Sequence, residues 1–126
     1  MARLGQDEAP PGPTVQGFSG GGFSVDGRVY RALFLTPETA AEWVPPAAPS
    51  ALGIGDVEQV LGIAPAPEFL LLGTGPRLVF PPRAFLRAVE ERGMGVEVMD
   101  SRAAARTWGL LRGEERWIVA ALMPWG

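Results

Sequence analysis

Few side chains in this sequence are equipped for chemistry, and those that are fall in two short stretches. The first is Gly73-Thr74-Gly75, which follows the apolar run Phe69-Leu70-Leu71-Leu72. It begins like a dinucleotide fingerprint, but Leu78 stands where a third glycine is needed, and Pro81-Pro82 delays the helix whose first amides would hold a pyrophosphate. A tight turn that lets the chain leave a buried strand accounts for the same residues. The second stretch is Asp100-Ser101, followed by Arg102 and Arg106. As structural residues, Asp100 and Ser101 cap a helix, one side chain satisfying a free amide. As functional residues they would join Thr74 at a cleft, with Asp100 as base or metal ligand. Arg102 and Arg106, at i and i+4, share one helical face and would hold an anion together with the positive helix end. Solvation, or an ion pair such as Arg106 with Asp100, is the structural counterpart. Gly20-Gly21-Gly22 has neither the lysine nor the following helix that a phosphate loop requires.

The missing residue types narrow the chemistry further. The chain has no cysteine and no histidine, and every one of its 11 basic residues is arginine. Disulfides, thiolate nucleophiles, Schiff bases and the commonest general base and transition-metal ligand are therefore excluded. Carboxylates, hydroxyls, arginine, Tyr30 and backbone amides remain. Neither a cofactor site nor a catalytic set emerges from them. The formal net charge is −3, with the acidic excess in the first 67 residues (3 Arg against 7 acids) and near balance beyond (8 against 7). A nucleic-acid partner, which calls for a basic field, is not expected.

The elements that must position these residues follow from periodicity and punctuation. At 126 residues the chain suits one domain with one core. Residues 1–13 show no periodicity and read as a flexible N-terminal arm, leaving 14–126 as a single domain. Val15 to Phe18 reads as a short strand. Asp26-Gly27 between alternating apolar residues predicts a hairpin over 23–30 whose second arm continues through Leu33-Phe34-Leu35. Glu38 to Trp43 reads as a helical turn before the Pro45-Pro46 loop. A short helix is expected from Asp56, as N-cap, to Leu61. A central strand follows at 68–72, then a helix opened by Pro81-Pro82 with Phe85, Leu86 and Val89 on its buried face. A strand at 95–99, a helix after Asp100 with Ala104, Trp108 and Leu111 on one face, a turn at 112–115 and a final strand at 116–122 complete the chain. Leu78-Val79-Phe80 is too short to classify. Trp117 and Trp125 would be buried or sit in an exposed patch used for association.

This order gives an α/β fold: a three-layer single domain with a central mixed β-sheet, an N-terminal β-hairpin and helices packed on the sheet. Strands 68–72 and 95–99 should be parallel neighbours joined by the intervening helix. Their C-terminal ends then bring Gly73, Thr74 and Gly75 beside Asp100, Ser101, Arg102 and Arg106, at the edge where open α/β sheets bind ligands.

Gly17-Phe18-Ser19-Gly20-Gly21-Gly22-Phe23, Asp26-Gly27, Tyr30, Leu70-Leu71-Leu72-Gly73-Thr74-Gly75, Pro81-Pro82, and Gly95-Val96-Glu97-Val98-Met99-Asp100-Ser101 with Ala104 and Arg106-Thr107 also form a set. Together they resemble a widespread small α/β domain family, largely of unknown function. That family includes the mitochondrial respiratory complex I assembly factor three and the adipogenesis-associated single-domain protein. Where its pattern continues Arg-Thr-Tyr-Asn, this chain has Arg106-Thr107-Trp108-Gly109. The resemblance implies a three-layer α/β fold and, for the mitochondrial relative, a non-enzymatic role in building a membrane complex, with no established active site.

Two expectations follow. One is a binding or assembly module with a protein partner, soluble and cytoplasmic, without a membrane span but able to touch a membrane complex peripherally. The other is a small-molecule or anion-binding protein, or an enzyme, using the strand-end cleft. An exposed edge in the hairpin would support a homodimer.

Overall fold

The computed structural model describes residues 12–126. The expected arm lies outside the described residues except for Gly12 and Pro13, and the Pro13 carbonyl accepts a hydrogen bond from Trp108 Nε1 at 2.9 Å.

The N-terminal hairpin forms where Asp26-Gly27 predicts it. Strands β1 (Phe23–Val25) and β2 (Arg28–Tyr30) pair antiparallel with Phe23 opposite Tyr30. Asp26 and Gly27 take φ of 50° and 82°, the two positive values that a type I′ turn needs. The segment expected as a strand at 15–18 makes only an isolated bridge from Gly17 to Ser24. The second arm also stops sooner than expected. After Arg31-Ala32 the chain leaves the hairpin, and β3 (Leu33–Leu35) joins the main sheet.

A second correction falls at the helical turn expected over 38–43. Residues Ala40–Glu42 form strand β4, antiparallel to β3. The Thr36 hydroxyl accepts from the Thr39 amide at 2.9 Å and the Glu38 amide at 3.2 Å, which reverses the chain tightly. Buried Trp43 then stacks on Phe34 with ring centroids 5.0 Å apart and donates its indole N–H to the Asp56 carbonyl. Tertiary anchoring of Trp43 outweighs the helix propensity of two alanines and a glutamate. Asp56 differs as well. Its carboxylate accepts from the Gly53 amide at 2.8 Å and closes a 3₁₀ turn over Ile54–Asp56. Helix α1 (Glu58–Leu61) starts after Val57 without a side-chain cap.

The second half follows the expected order: β5 (Phe69–Gly73), α2 (Arg83–Glu90), β6 (Gly95–Met99), α3 (Ser101–Gly113) and β7 (Val119–Leu122). Helix α3 runs two residues into the region read as a turn, through Gly113, and β7 is shorter than the expected 116–122. The sheet order is β4-β3-β7-β5-β6. Strand β5 is parallel to both β6 and β7, and β3 is antiparallel to β7. β7, not β5, is therefore the middle strand.

Alternation along the inner strands divides the core between the two faces of the sheet. Leu70, Leu72, Val119 and Ala121 face α1 and α2, packing with Val57, Val60, Phe85 and Val89. Leu71, Ala120 and Leu122 face α3 and the hairpin, packing with Ala104, Trp108, Phe23 and Tyr30. Helix, sheet and helix make three layers. Full burial of Phe85 and Val89 contributes about 1.5 to 3 kcal/mol each, which fixes α2 against the sheet.

Candidate functional site

The parallel crossover brings the two chemistry-bearing stretches together, and they bond chiefly to one another. Beyond β5, Gly75 N–H donates to Ser101 Oγ at 2.8 Å, while the Ser101 amide donates to the Gly75 carbonyl at the same distance. Ser101 Oγ donates in turn to the Met123 carbonyl at 2.6 Å, and the Met123 amide donates to the Gly73 carbonyl at 2.9 Å. One fully buried hydroxyl thus ties the ends of β5 and β7 to the start of α3. Gly73 permits this approach. A Cβ there would lie 2.8 Å from both Ser101 Cα and Ser101 Oγ, closer than real Cβ contacts come.

Thr74 is also engaged. Its amide donates to the Met99 carbonyl, and its hydroxyl accepts from the Val79 amide at 3.0 Å and donates to the Arg77 carbonyl at 2.7 Å. Asp100 is the N-cap of α3, its carboxylate accepting from the Ala103 amide at 3.0 Å. Arg102 places its guanidinium 5.0 Å from the centre of the Trp125 ring, and Trp125 Nε1 donates to the Gly22 carbonyl. Arg106 is exposed and has no ion pair with Asp100 among the described residues. Gly73, Thr74, Gly75, Asp100 and Ser101 are therefore brought together, while Arg102 turns to the C-terminal tail. Trp108 is fully buried, and its indole N–H reaches the Pro13 carbonyl from the position where the family resemblance has tyrosine.

Two features escaped the sequence reading. Leu78, Val79 and Phe80, left unclassified there, form neither helix nor strand and stand 51, 39 and 67% exposed. A contiguous exposed apolar run is the kind of surface that a partner can cover. The Pro81-Pro82 that follows, which bars a strand from continuing, was the available signal. Beside Thr74-Gly75 lies a half-open groove of about 410 Å³ between Pro76, Pro124, Arg31 and the loop holding Pro45, Pro46 and Pro49. Nothing in the local sequence pattern announces it, since its walls come from four separate segments.

At the opposite end of the sheet, Arg116 donates from Nε and Nη2 to Glu68 Oε1 at 2.9 and 2.7 Å. The Arg116 hydrogen bonds, followed by one from the Trp117 amide, hold the Glu68 carboxyl below its ordinary value of 4.5. Glu58 is held low in the same way, first by its hydrogen bonds from Arg92. Among the described residues no acids cluster to hold a metal ion, and no helix is long and apolar enough to cross a membrane.

The fold and this strand-end arrangement define a class of small α/β domain with solved members. A crystal structure of a Bordetella parapertussis protein superposes with a TM-score of 0.81 at 36% identity, covering 93% of this chain and 99% of that one. A Bordetella pertussis protein described as a Mth938-like domain, solved by NMR, gives 0.79 at 31% identity, covering 99% and 94%. The chain belongs to the family described as "Protein of unknown function (DUF498/DUF598)", whose model matches residues 15–123. NADH dehydrogenase [ubiquinone] 1 alpha subcomplex assembly factor 3 of Danio rerio is 30% identical over 120 residues. That alignment takes in 94% of this chain and 68% of the relative, so the chain spans about two thirds of the longer protein's length.

Proposed function

We propose that this protein is a non-enzymatic assembly module that holds a protein partner while a membrane-associated respiratory complex is built, and that the partner docks on Leu78-Val79-Phe80. The reading rests on that exposed run, carried by a chain whose relative is named an assembly factor along nearly the whole aligned domain. The chemistry of the strand ends supports it. Ser101, Thr74 and Asp100 spend their polar groups on the chain itself, whereas the apolar run stays largely exposed among the described residues.

The test is cross-linked capture from the native cell with tagged wild type and with Leu78→Asp/Phe80→Asp, both checked for equal thermal stability. Subunits of an NADH dehydrogenase should be enriched by wild type and lost in the variant. Wild-type capture without such subunits, or equal capture by the variant, would overturn the reading.

A further inference from the structure

The strand-end groove carries a second recognition element, separate from the exposed run. β7 lies between parallel β5 and antiparallel β3, so the segments after β5 and β7 and the segment before β3 meet at one edge of the sheet. Arg31, just before β3, is the one charged side chain lining the groove there. It is exposed and makes no ion pair, hydrogen bond or ring contact among the described residues. The rest of the lining is mostly proline. Proline rings present apolar walls and no amide donors, and the amides of Thr74, Gly75 and Met123 are already used within the chain. The carbonyls of Pro45, Pro46, Pro76 and Pro124 accept no hydrogen bond among the described residues.

An apolar body and a carboxylate for the guanidinium therefore suit the groove, and N–H donors suit the carbonyls that its lining residues leave unbonded among the described residues. We propose that the groove receives the carboxyl-terminal end of an apolar polypeptide segment, with its free carboxylate on Arg31 and its last side chains against the proline walls. A polypeptide end supplies all three features within its last residues, while a fatty acid has no N–H to donate and an internal peptide segment would have to bring the carboxylate on an Asp or Glu side chain. Arginine presents two parallel donors to a carboxylate, which gives orientation as well as attraction. This inference rests on the protein-partner reading and names the kind of segment a partner would present.

The test is NMR titration of the ¹⁵N-labelled full chain with N-acetyl-leucine and N-acetyl-phenylalanine, the same compounds as carboxamides, and octanoate. The expected result is saturable shifts at Arg31 Nε–H, Ala47 and Gly75 with the acids, and binding at least about tenfold weaker with the carboxamides. Arg31→Gln should lose that tenfold difference, and Arg31→Lys should keep part of it. Arg31 has no partner among the described residues, so both variants should melt with wild type. Equal binding of acid and carboxamide, or no saturable shift at tens of millimolar ligand, overturns the proposal. Octanoate binding as tightly as the acylated amino acids, with the same dependence on Arg31, overturns the polypeptide occupant in favour of a lipid acid. The capture experiment through Leu78 and Phe80 leaves Arg31 untouched, so the failure of one does not mimic the failure of the other.

Discussion

Removing a single oxygen atom, in Ser101→Ala, tests whether the strand ends are closed for the sake of the fold. The hydroxyl accepts from Gly75 N–H at 2.8 Å and donates to the Met123 carbonyl at 2.6 Å, at a residue with no exposed surface. Two net hydrogen bonds amount to about 2 kcal/mol, and leaving a buried donor and acceptor unsatisfied raises the loss to about 2 to 4 kcal/mol. The Asp100 cap on the Ala103 amide is untouched, so the helical signal at room temperature should not change. Urea unfolding by circular dichroism should show a lower midpoint at constant slope, and the melting temperature should fall by about 8 to 16 °C. Asp100→Ala, which removes only the cap, should cost about 1 kcal/mol and serves as the control. A loss below about 1 kcal/mol for Ser101→Ala would refute the claim that the bridge holds the three elements together. A gain in stability would point the other way, to a hydroxyl kept for a ligand at the expense of the fold.

Three further outcomes are expected. Leu71→Ala, at a fully buried position on the α3 face of the sheet, should lower stability by about 2 to 5 kcal/mol in the same urea assay; a loss under about 1 kcal/mol would mean the core lies elsewhere. Gly73→Ala would put its Cβ 2.8 Å from Ser101 Cα and 3.0 Å from a Leu122 methyl carbon, so α3 must shift and stability should drop by about 1 to 3 kcal/mol; wild-type melting would contradict the close approach. Glu68 has a lowered folded-state pKa, so its contribution is complete above the ordinary value of 4.5 and disappears as pH falls through the lower folded value. Wild type should therefore lose melting temperature below pH 4.5 more steeply than Glu68→Gln, with the gap narrowed by salt because the pair is exposed; parallel curves would remove the Arg116 pairing from the account.

Legibility in the sequence tracked how local the decisive interaction is. The Asp26-Gly27 turn, the buried run of β5 and the Asp100 cap each depend on a few neighbouring residues, and all three stand where periodicity and capping put them. β4 did not declare itself, because Ala40-Ala41-Glu42 carries helix-forming residues and becomes a strand through Trp43, whose indole is held by a carbonyl 13 residues away. The sheet's middle was misread for a similar reason. Val119-Ala120-Ala121-Leu122 looks less apolar than Leu70-Leu71-Leu72, yet its small residues suit a strand covered on both faces and flanked on both edges. At the candidate site, the meeting of Gly75 with Ser101 followed from the crossover rule. The bond from Ser101 to Met123 spans 22 residues and the groove walls come from four segments, so neither leaves a periodic trace.

The geometry of the strand ends bears on where this protein can meet another molecule. In an open α/β sheet a ligand sits between the loops that leave adjacent parallel strands and the first amides of the next helix. Here Gly73 brings α3 close enough for a serine hydroxyl to occupy that position, and Asp100 takes one of the helix's first free amides. The polar groups that would greet a substrate are spent on closing the fold. What is left accessible near the strand ends lies one layer outward, in the exposed run after Gly75 and in the proline-walled groove beside it, where the Thr74 hydroxyl is already hydrogen-bonded within the chain. On the proposed reading, surfaces of that chemistry hold another chain.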